Sequence, residues 1–289
     1  MRRYPAYRCP WTVERKEDRL ALLKEIAESG MRRLVLSYAM VEQLILQPDL
    51  LPVWREELRE FGLRLVDSHA PWGRGKELGT AEEDLHGQAV ARHKMFLRFC
   101  QELGIDTMTV HPGGGPDPDA AFAALLRSLE ELLPEAERTG VTICLENVWT
   151  PMDHSSRLLE AVRRFDSPYL GLCYDSGHAN LSEKGRFFPE ESVVPRSWTN
   201  LGLSVTWEEN LAEKFRPWLV NCHLHDNHGV TDEHNLPGNG TVDWPHLIDV
   251  LKTAPRLRCV QCEVRIPASG VVPSVWYESF RNLSPELSA

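Results

Sequence analysis

Asn221 to Trp244 reads NCHLHDNHGVTDEHNLPGNGTVDW and holds four histidines (His223, His225, His228, His234) and three aspartates (Asp226, Asp232, Asp243). Imidazole together with carboxylate is the donor set that Zn²⁺, Mn²⁺ or Fe²⁺ takes. Trp218, Leu219 and Val220 lead in as a buried strand, and Pro237 with the glycines at 229, 238 and 240 excludes a helix. A strand running into a long ordered loop is therefore expected. In isolation the stretch fits a histidine-rich surface loop equally well, so the remainder of the chain has to decide.

Short apolar runs alternate with amphipathic segments along the whole chain. Strands are expected at Tyr4 to Arg8, Arg33 to Ser37, Leu63 to His69, Asp106 to His111, Val141 to Glu146, Tyr169 to Asp175, Leu219 to His225 and Arg258 to Val264. Helices are expected from an N-cap at Thr12 to Glu28, and over Asp49 to Phe61, Thr80 to Leu103, Asp117 to Thr139, Asp153 to Phe165, Glu208 to Phe215, Trp244 to Thr253 and Pro273 to Leu283. Gly30, Gly62, Gly104 and Gly140 each follow a helical run, where a left-handed C-cap belongs. Eight strand and helix units in 289 residues predict an α/β protein, a (β/α)8 TIM barrel forming one domain over residues 1–289. An open doubly wound sheet is the alternative, but no GxGxxG follows the first strand and no Walker loop occurs. Gly113 to Gly115 is a bare triplet and a weak phosphate-cradle signal. The long loop between strands 6 and 7, residues 179–218, carries Phe187, Phe188, Trp198 and Trp207 and is a candidate lid.

Placed on this barrel, the polar residues converge. His69 ends the third strand, His111 the fourth, Glu146 the fifth and Asp175 the sixth; His223 lies in the seventh and Glu263 near the end of the eighth. Strand-end side chains of such barrels meet at the C-terminal mouth, where active sites form. Alternation puts Cys144 on the face of Glu146, Cys173 on that of Asp175, Gln261 on that of Glu263, and Asn221 and His225 on that of His223. Singly, Asp175 reads as well as a helix N-cap, and His69 as a hydrogen-bonded core histidine. Trp11, Trp72 and Trp149 each follow a strand end, so three indoles are expected at the rim, either as ordinary packing or as faces for a sugar or a base.

Composition bounds the partners. Net charge is −10, with 32 Lys plus Arg against 42 Asp plus Glu, and no basic run stands out, which argues against nucleic acid. The sequence has no run of eighteen apolar residues and no secretory start, so a soluble cytoplasmic protein without membrane contact is expected; an oligomer is compatible with it. Seven cysteines, most of them inside apolar runs, read as packing residues of a reduced protein, and the Cys259/Cys262 pair lacks the second pair of a zinc site.

The motifs SHAPWG (His69), VHPGG (His111), LENV (Glu146), YDSGHAN (Asp175, His178), HLHDN (His223), DEHNLPGNGTVDW (Asp232, His234) and CEV (Glu263) together resemble those of the xylose-isomerase-like barrels, from about Asp67 to Glu263. That superfamily includes sugar and sugar-phosphate isomerases and epimerases, and apurinic endonucleases of the endonuclease IV type. The resemblance implies one divalent ion held by Glu146, Asp175, His223 and Glu263, with the two glutamates also moving the proton, in the epimerase pattern. In the endonuclease pattern it implies three zinc ions that also use His69, His111, His178, Asp232 and His234. One to three divalent ions per chain, Zn²⁺ or Mn²⁺, are thus expected. The chain departs from both patterns: YPAYRCPWTVE lacks the glycine-rich opening of the endonucleases, SHAPWG lacks their tyrosine-bearing loop, and HDNHG lacks the arginine of the epimerases. The leading expectation is a metal-dependent isomerase or epimerase of a small sugar or sugar derivative, with Glu146 and Glu263 catalytic and Trp11, Trp72, Trp149, His178 and His225 binding substrate. The alternatives are a multinuclear phosphoesterase acting on abasic DNA and a non-catalytic sugar-binding barrel.

Overall fold

In the computed structural model, which describes residues 4–8, 11–113, 115–264 and 273–283, eight parallel strands close into a barrel in sequential order. The strands are β1 (Tyr4–Tyr7), β2 (Arg33–Leu36), β3 (Arg64–His69), β4 (Thr107–Val110), β5 (Thr142–Glu146), β6 (Leu170–Asp175), β7 (Leu219–Leu224) and β8 (Cys259–Cys262). The helices are α1 (Lys16–Glu28), α2 (Tyr38–Leu46), α3 (Leu50–Glu60), α4 (Glu83–Leu103), α5 (Pro118–Thr139), α6 (Ser155–Phe165), α7 (Ser176–Lys184), α8 (Val193–Thr199), α9 (Leu211–Phe215), α10 (Trp244–Thr253) and α11 (Pro273–Leu283). The closed (β/α)8 barrel expected from the alternation is present.

Local chemistry explains where the helices start. Pro118 supplies a pre-set φ at the head of α5 while the Asp117 carboxylate accepts from the Asp119 and Ala120 amides. Asp175 accepts from the His178 amide at 2.7 Å and so caps α7. Thr12 does not cap α1; that helix begins at Lys16, and no side chain caps it. The helix expected from Thr80 begins at Glu83, and the one expected from Glu208 begins at Leu211. Three further helices, α2, α7 and α8, of nine, nine and seven residues, carry too short a period to stand out in the sequence. The segment 179–218 is consequently not a long loop: it contains most of α7, a 3₁₀ turn, α8 and α9. Leu181, Val194 and Trp198 form its own small core, which partly covers Trp149 and Trp207.

The principal hydrophobic core lies between barrel and helices and unites Leu34, Leu36, Phe96, Met108, Ile143, Leu172, Phe215 and Trp276. The barrel interior is filled differently. Ala6, Val35, Val66 and Cys259 form one separate cluster, and Cys144, Cys173 and Val220 another. Small side chains leave room there for a polar layer. Asn221 on β7 donates across the barrel to Asp67 at 2.7 Å and to Thr109 at 2.9 Å, and Thr107 donates to Asp67 at 2.6 Å. Burial nevertheless pushes the Asp67 carboxyl up to about 6.

On the outside, α4 buries His93, whose Nδ1 hydrogen bonds the Ala89 carbonyl at 2.8 Å. Burial lowers this imidazole from 6.5 to about 4. Between those values the unfolded chain takes a proton that the native chain refuses. The group therefore costs nothing above pH 6.5 and destabilises progressively as pH falls toward 4, by up to ~3 kcal/mol. His93→Gln keeps a donor for Ala89 and removes the titration. Urea unfolding of wild type and variant should show the stability difference moving in favour of the variant across that pH range; a pH-independent difference would contradict this account.

Candidate metal centre

The floor of the barrel mouth is assembled by four adjacent strands. Glu146 ends β5, Asp175 ends β6, His223 is the fifth residue of β7, and Glu263 follows β8. Register pairs Asp175 with His223, and His223 with Gln261, so these side chains rise at neighbouring levels. One ligand atom from each of Glu146, Asp175, His223 and Glu263 lies within 4.8 Å of every other. His223 Nδ1 is 2.5 Å from Glu263 Oε2, 3.2 Å from Glu146 Oε1 and 3.9 Å from Asp175 Oδ2.

Glu146 belongs to more than this group. Its second oxygen, Oε2, lies 3.3 Å from His69 Nε2 and 3.2 Å from His111 Nε2, making a second set of three donors. A third set joins His178, His225, Asp232 and His234. There Asp232 Oδ2 is 2.8 Å from His234 Nε2 and 3.8 Å from His178 Nε2, while His225 stacks on His234 at 3.9 Å. Asp175 connects the first and third sets, since its Oδ2 meets His225 Nε2 at 3.0 Å.

The histidines are oriented from behind. His69 Nδ1 bonds the Ala70 carbonyl at 2.8 Å, His178 Nδ1 the Asn147 carbonyl at 2.9 Å and His234 Nδ1 the Glu263 carbonyl at 2.7 Å. A carbonyl only accepts, so each Nδ1 carries a proton and each Nε2 is the nitrogen left to face the carboxylates, donating to them when protonated and free to bind a cation when not. This is the support that metal-binding imidazoles receive. Asn147 also pins Asp175 through both its backbone amide and carbonyl. Gly177 is required by close approach: a Cβ there would lie 1.9 Å from the His225 ring. The donor chemistry, buried position and oriented ring nitrogens fit divalent metal.

Electrostatics agree with that fit. Burial pushes Glu146 up, but His223 and His111 outweigh it and hold the carboxyl well below the usual range. Burial likewise opposes and fails against His223 and Arg8 at Glu263, and against His178 and His234 at Asp232. Conversely His178, lowered by burial, is raised well above the imidazole range by Asp175 and Asp232, and His223 by Glu263 and Glu146 among others. Anionic carboxylates and protonated imidazoles packed together are a site whose protons a cation can displace.

The structure separates the residues of the opening stretch. His223, His225, Asp232 and His234 enter the clusters. Asp226 is structural, accepting from the amides of Gly238 and Val242 and from Trp244 Nε1, and Asp243 caps α10. His228 is exposed and pairs with Glu233.

Two expected substrate contacts are corrected. Trp11 is completely buried against Trp54, with ring centres 5.3 Å apart, and does not line the mouth. His225 is also fully buried, stacked on His234, and is not among the residues lining the mouth cavity, so it stands with the third donor set. Trp72, Trp149 and His178 do line the mouth, a cavity of about 1010 Å³. Gly114 of the glycine triplet lies outside the described residues; Gly113 donates its amide to Asp153 at 2.9 Å. Sequence reasoning missed Arg8, which pairs with Glu263 at the floor, because a single arginine after a short strand carries no motif. It also missed Asn147, although its place beside Glu146 was a usable signal.

If each set holds its own ion, Asp232→Ala should reduce bound zinc by about one ion per chain, whereas Glu146→Ala, which serves two sets, should remove more. Elemental analysis against protein concentration checks this, with equal losses as the contrary result.

Comparison with known proteins extends these observations. The family described as Xylose isomerase-like TIM barrel matches residues 23–279. An uncharacterized Methanocaldococcus jannaschii protein, MJ1311, is 29% identical over 164 residues, 52% of this chain and 48% of that one. A probable endonuclease 4 of Aquifex aeolicus is 30% identical over 130 residues, 43% of this chain and 45% of its own length. The chain thus spans less than half the length of either relative. Among solved structures, a D-tagatose 3-epimerase-like protein superposes with a TM-score of 0.72 at 20% identity, covering 99% of this chain and 98% of that one. Closed barrel, clustered mouth ligands and a match over most of its length lead to one conclusion: the chain belongs to the xylose isomerase-like TIM barrel family.

Proposed function

We propose that this protein is a metal-dependent isomerase or epimerase that moves a proton at a carbon beside the carbonyl of a sugar or sugar derivative. The observation that carries the reading is the pair Glu146 and Glu263, two buried carboxylates in one four-donor group, both held in the anionic form. One anionic carboxylate accepts a proton from an acidified C–H and becomes a carboxylic acid, which can hand that proton back to the same or the adjacent carbon; return to the opposite face takes a proton from water, or from the other glutamate once it has itself taken one from solvent. A divalent ion, Zn²⁺ or Mn²⁺, held by Glu146, Asp175, His223 and Glu263 supplies Lewis-acid polarisation of a substrate oxygen.

The surroundings suit a small polar substrate. Trp72 and Trp149 offer aromatic faces to the C–H side of a sugar ring or chain, and Tyr38, Glu77, Asp153 and Asn200 line the same cavity with hydrogen-bonding groups. Ser197, Asn200 and Leu201 bring the segment 179–218 to the rim, so that segment narrows the mouth, as a lid over a small substrate does. The full-length likeness to a D-tagatose 3-epimerase-like protein supports the same reading.

A second reading, phosphoester hydrolysis including cleavage at abasic DNA, is favoured by one observation. The His69, His111 and Glu146 set and the His178, His225, Asp232 and His234 set stand beside the central group, giving room for three ions. Similarity to a probable endonuclease 4 supports it, and the net charge of −10 opposes it.

Under the leading reading, Glu146→Gln and Glu263→Gln each lower kcat on a ketose substrate by roughly 10²–10⁴. Metal content measured alongside separates lost proton transfer from lost metal. Wild-type turnover by both variants would defeat the assignment.

A further inference from the structure

The opposite end of the barrel has a concave site of a different kind. Arg33 and Arg64 open β2 and β3 and are register partners, so they mark the N-terminal end, whereas the carboxylates and histidines gather at the C-terminal ends. Between these strand starts and α3 lies a cavity of about 540 Å³. Arg32, Arg33, Arg55, Arg59 and Arg64 line it, and the other lining residues are Gly62 and four leucines. No carboxylate lines the cavity, although acidic residues outnumber basic ones in the chain by 42 to 32.

Two of the arginines have local duties. Arg32 donates to the Ala27 carbonyl in the last turn of α1 and to the Met31 carbonyl beyond it, and Arg59 pairs with Glu56 in the last turns of α3. Basic groups at helix C-termini complement the dipole and need no ligand. Arg55 and Arg64 have neither duty: both are exposed, and neither forms an ion pair among the described residues. Like charges held around a concavity repel one another and focus a positive field into it.

We infer that this cleft binds a small polyanion with two or more linked phosphate groups, of the nucleoside polyphosphate class. Guanidinium forks match phosphate oxygens two at a time, so several around one hollow select a chain of phosphates over a single carboxylate. The leucine floor gives a base or other apolar group a place to rest. The volume lies within the range of small-ligand pockets. The ligand sits at the face opposite the metal centre, so it leaves substrate access free.

Titration calorimetry of the purified, metal-loaded full chain with magnesium ATP, and separately with inorganic tripolyphosphate, tests the assignment. Arg55→Gln/Arg64→Gln should weaken binding at least about tenfold without changing the circular dichroism, and Arg64→Lys, which keeps charge and loses the fork, should fall between. Asp232→Ala, at the other end of the barrel, should bind like wild type, and affinity should drop as salt is raised. Tighter binding of ATP than of tripolyphosphate shows that the nucleoside is read, and equal binding shows that the phosphates suffice; either supports the proposal. It is overturned if wild type binds neither probe, if the double variant binds both as wild type does, or if Asp232→Ala alone abolishes binding. Duplex DNA or phosphatidylserine vesicles captured through Arg55 and Arg64, with neither small probe bound, would also overturn it.

Discussion

A buried carboxylate must find compensating charge, and the whole mouth of this barrel is arranged around one such group, Glu146. Its two oxygens face opposite ways, Oε1 toward His223 and Oε2 toward His69 and His111. Removing an anion from water without partners costs many kcal/mol, so these imidazoles are a condition of folding as much as of chemistry. The barrel meets the condition by delivering one donor per strand end, and the backbone carbonyls of Ala70, Asn147 and Glu263 then set which nitrogen faces the centre. Below, Asp67, Thr107, Thr109 and Asn221 form a bonded polar layer that keeps the floor rigid without a bulky core.

Much of this was legible in the chain because strand ends are marked. A donor at the close of an apolar run, repeated from His69 to Glu263, is a pattern that side-chain alternation turns directly into a common face. What escaped was whatever depends on the path taken after a strand. Trp11 follows β1 as Trp72 follows β3, yet one is buried against Trp54 and the other lines the cavity. Of the helices in 179–218 only α9 was legible, from Glu208; α8 is seven residues long, too short to show a helical period, and is held by contacts such as Trp198 Nε1 to the Trp149 carbonyl. Asp226 looked like a ligand by composition, and only the fold reveals that amides and an indole consume its oxygens.

The donors present fit either of the two proposed chemistries. The central four suit proton transfer beside a carbonyl, and the outer sets add capacity that suits phosphoryl chemistry. Substrate access separates the two more than ligand count does. Ser197 and Asn200 bring the inserted helices to the rim of the cavity, and the net charge of −10 disfavours a polyanion at this carboxylate-lined mouth. Both features agree with the small substrate of the proposed function.

The most direct test is exchange of the carbon-bound proton. Ketoses incubated in D₂O with the zinc- or manganese-loaded protein should gain deuterium at the carbon beside the carbonyl, followed by NMR, and exchange should cease with Glu146→Gln. Absence of exchange across the ketose panel, together with incision of an abasic duplex by the same preparation, would contradict the account.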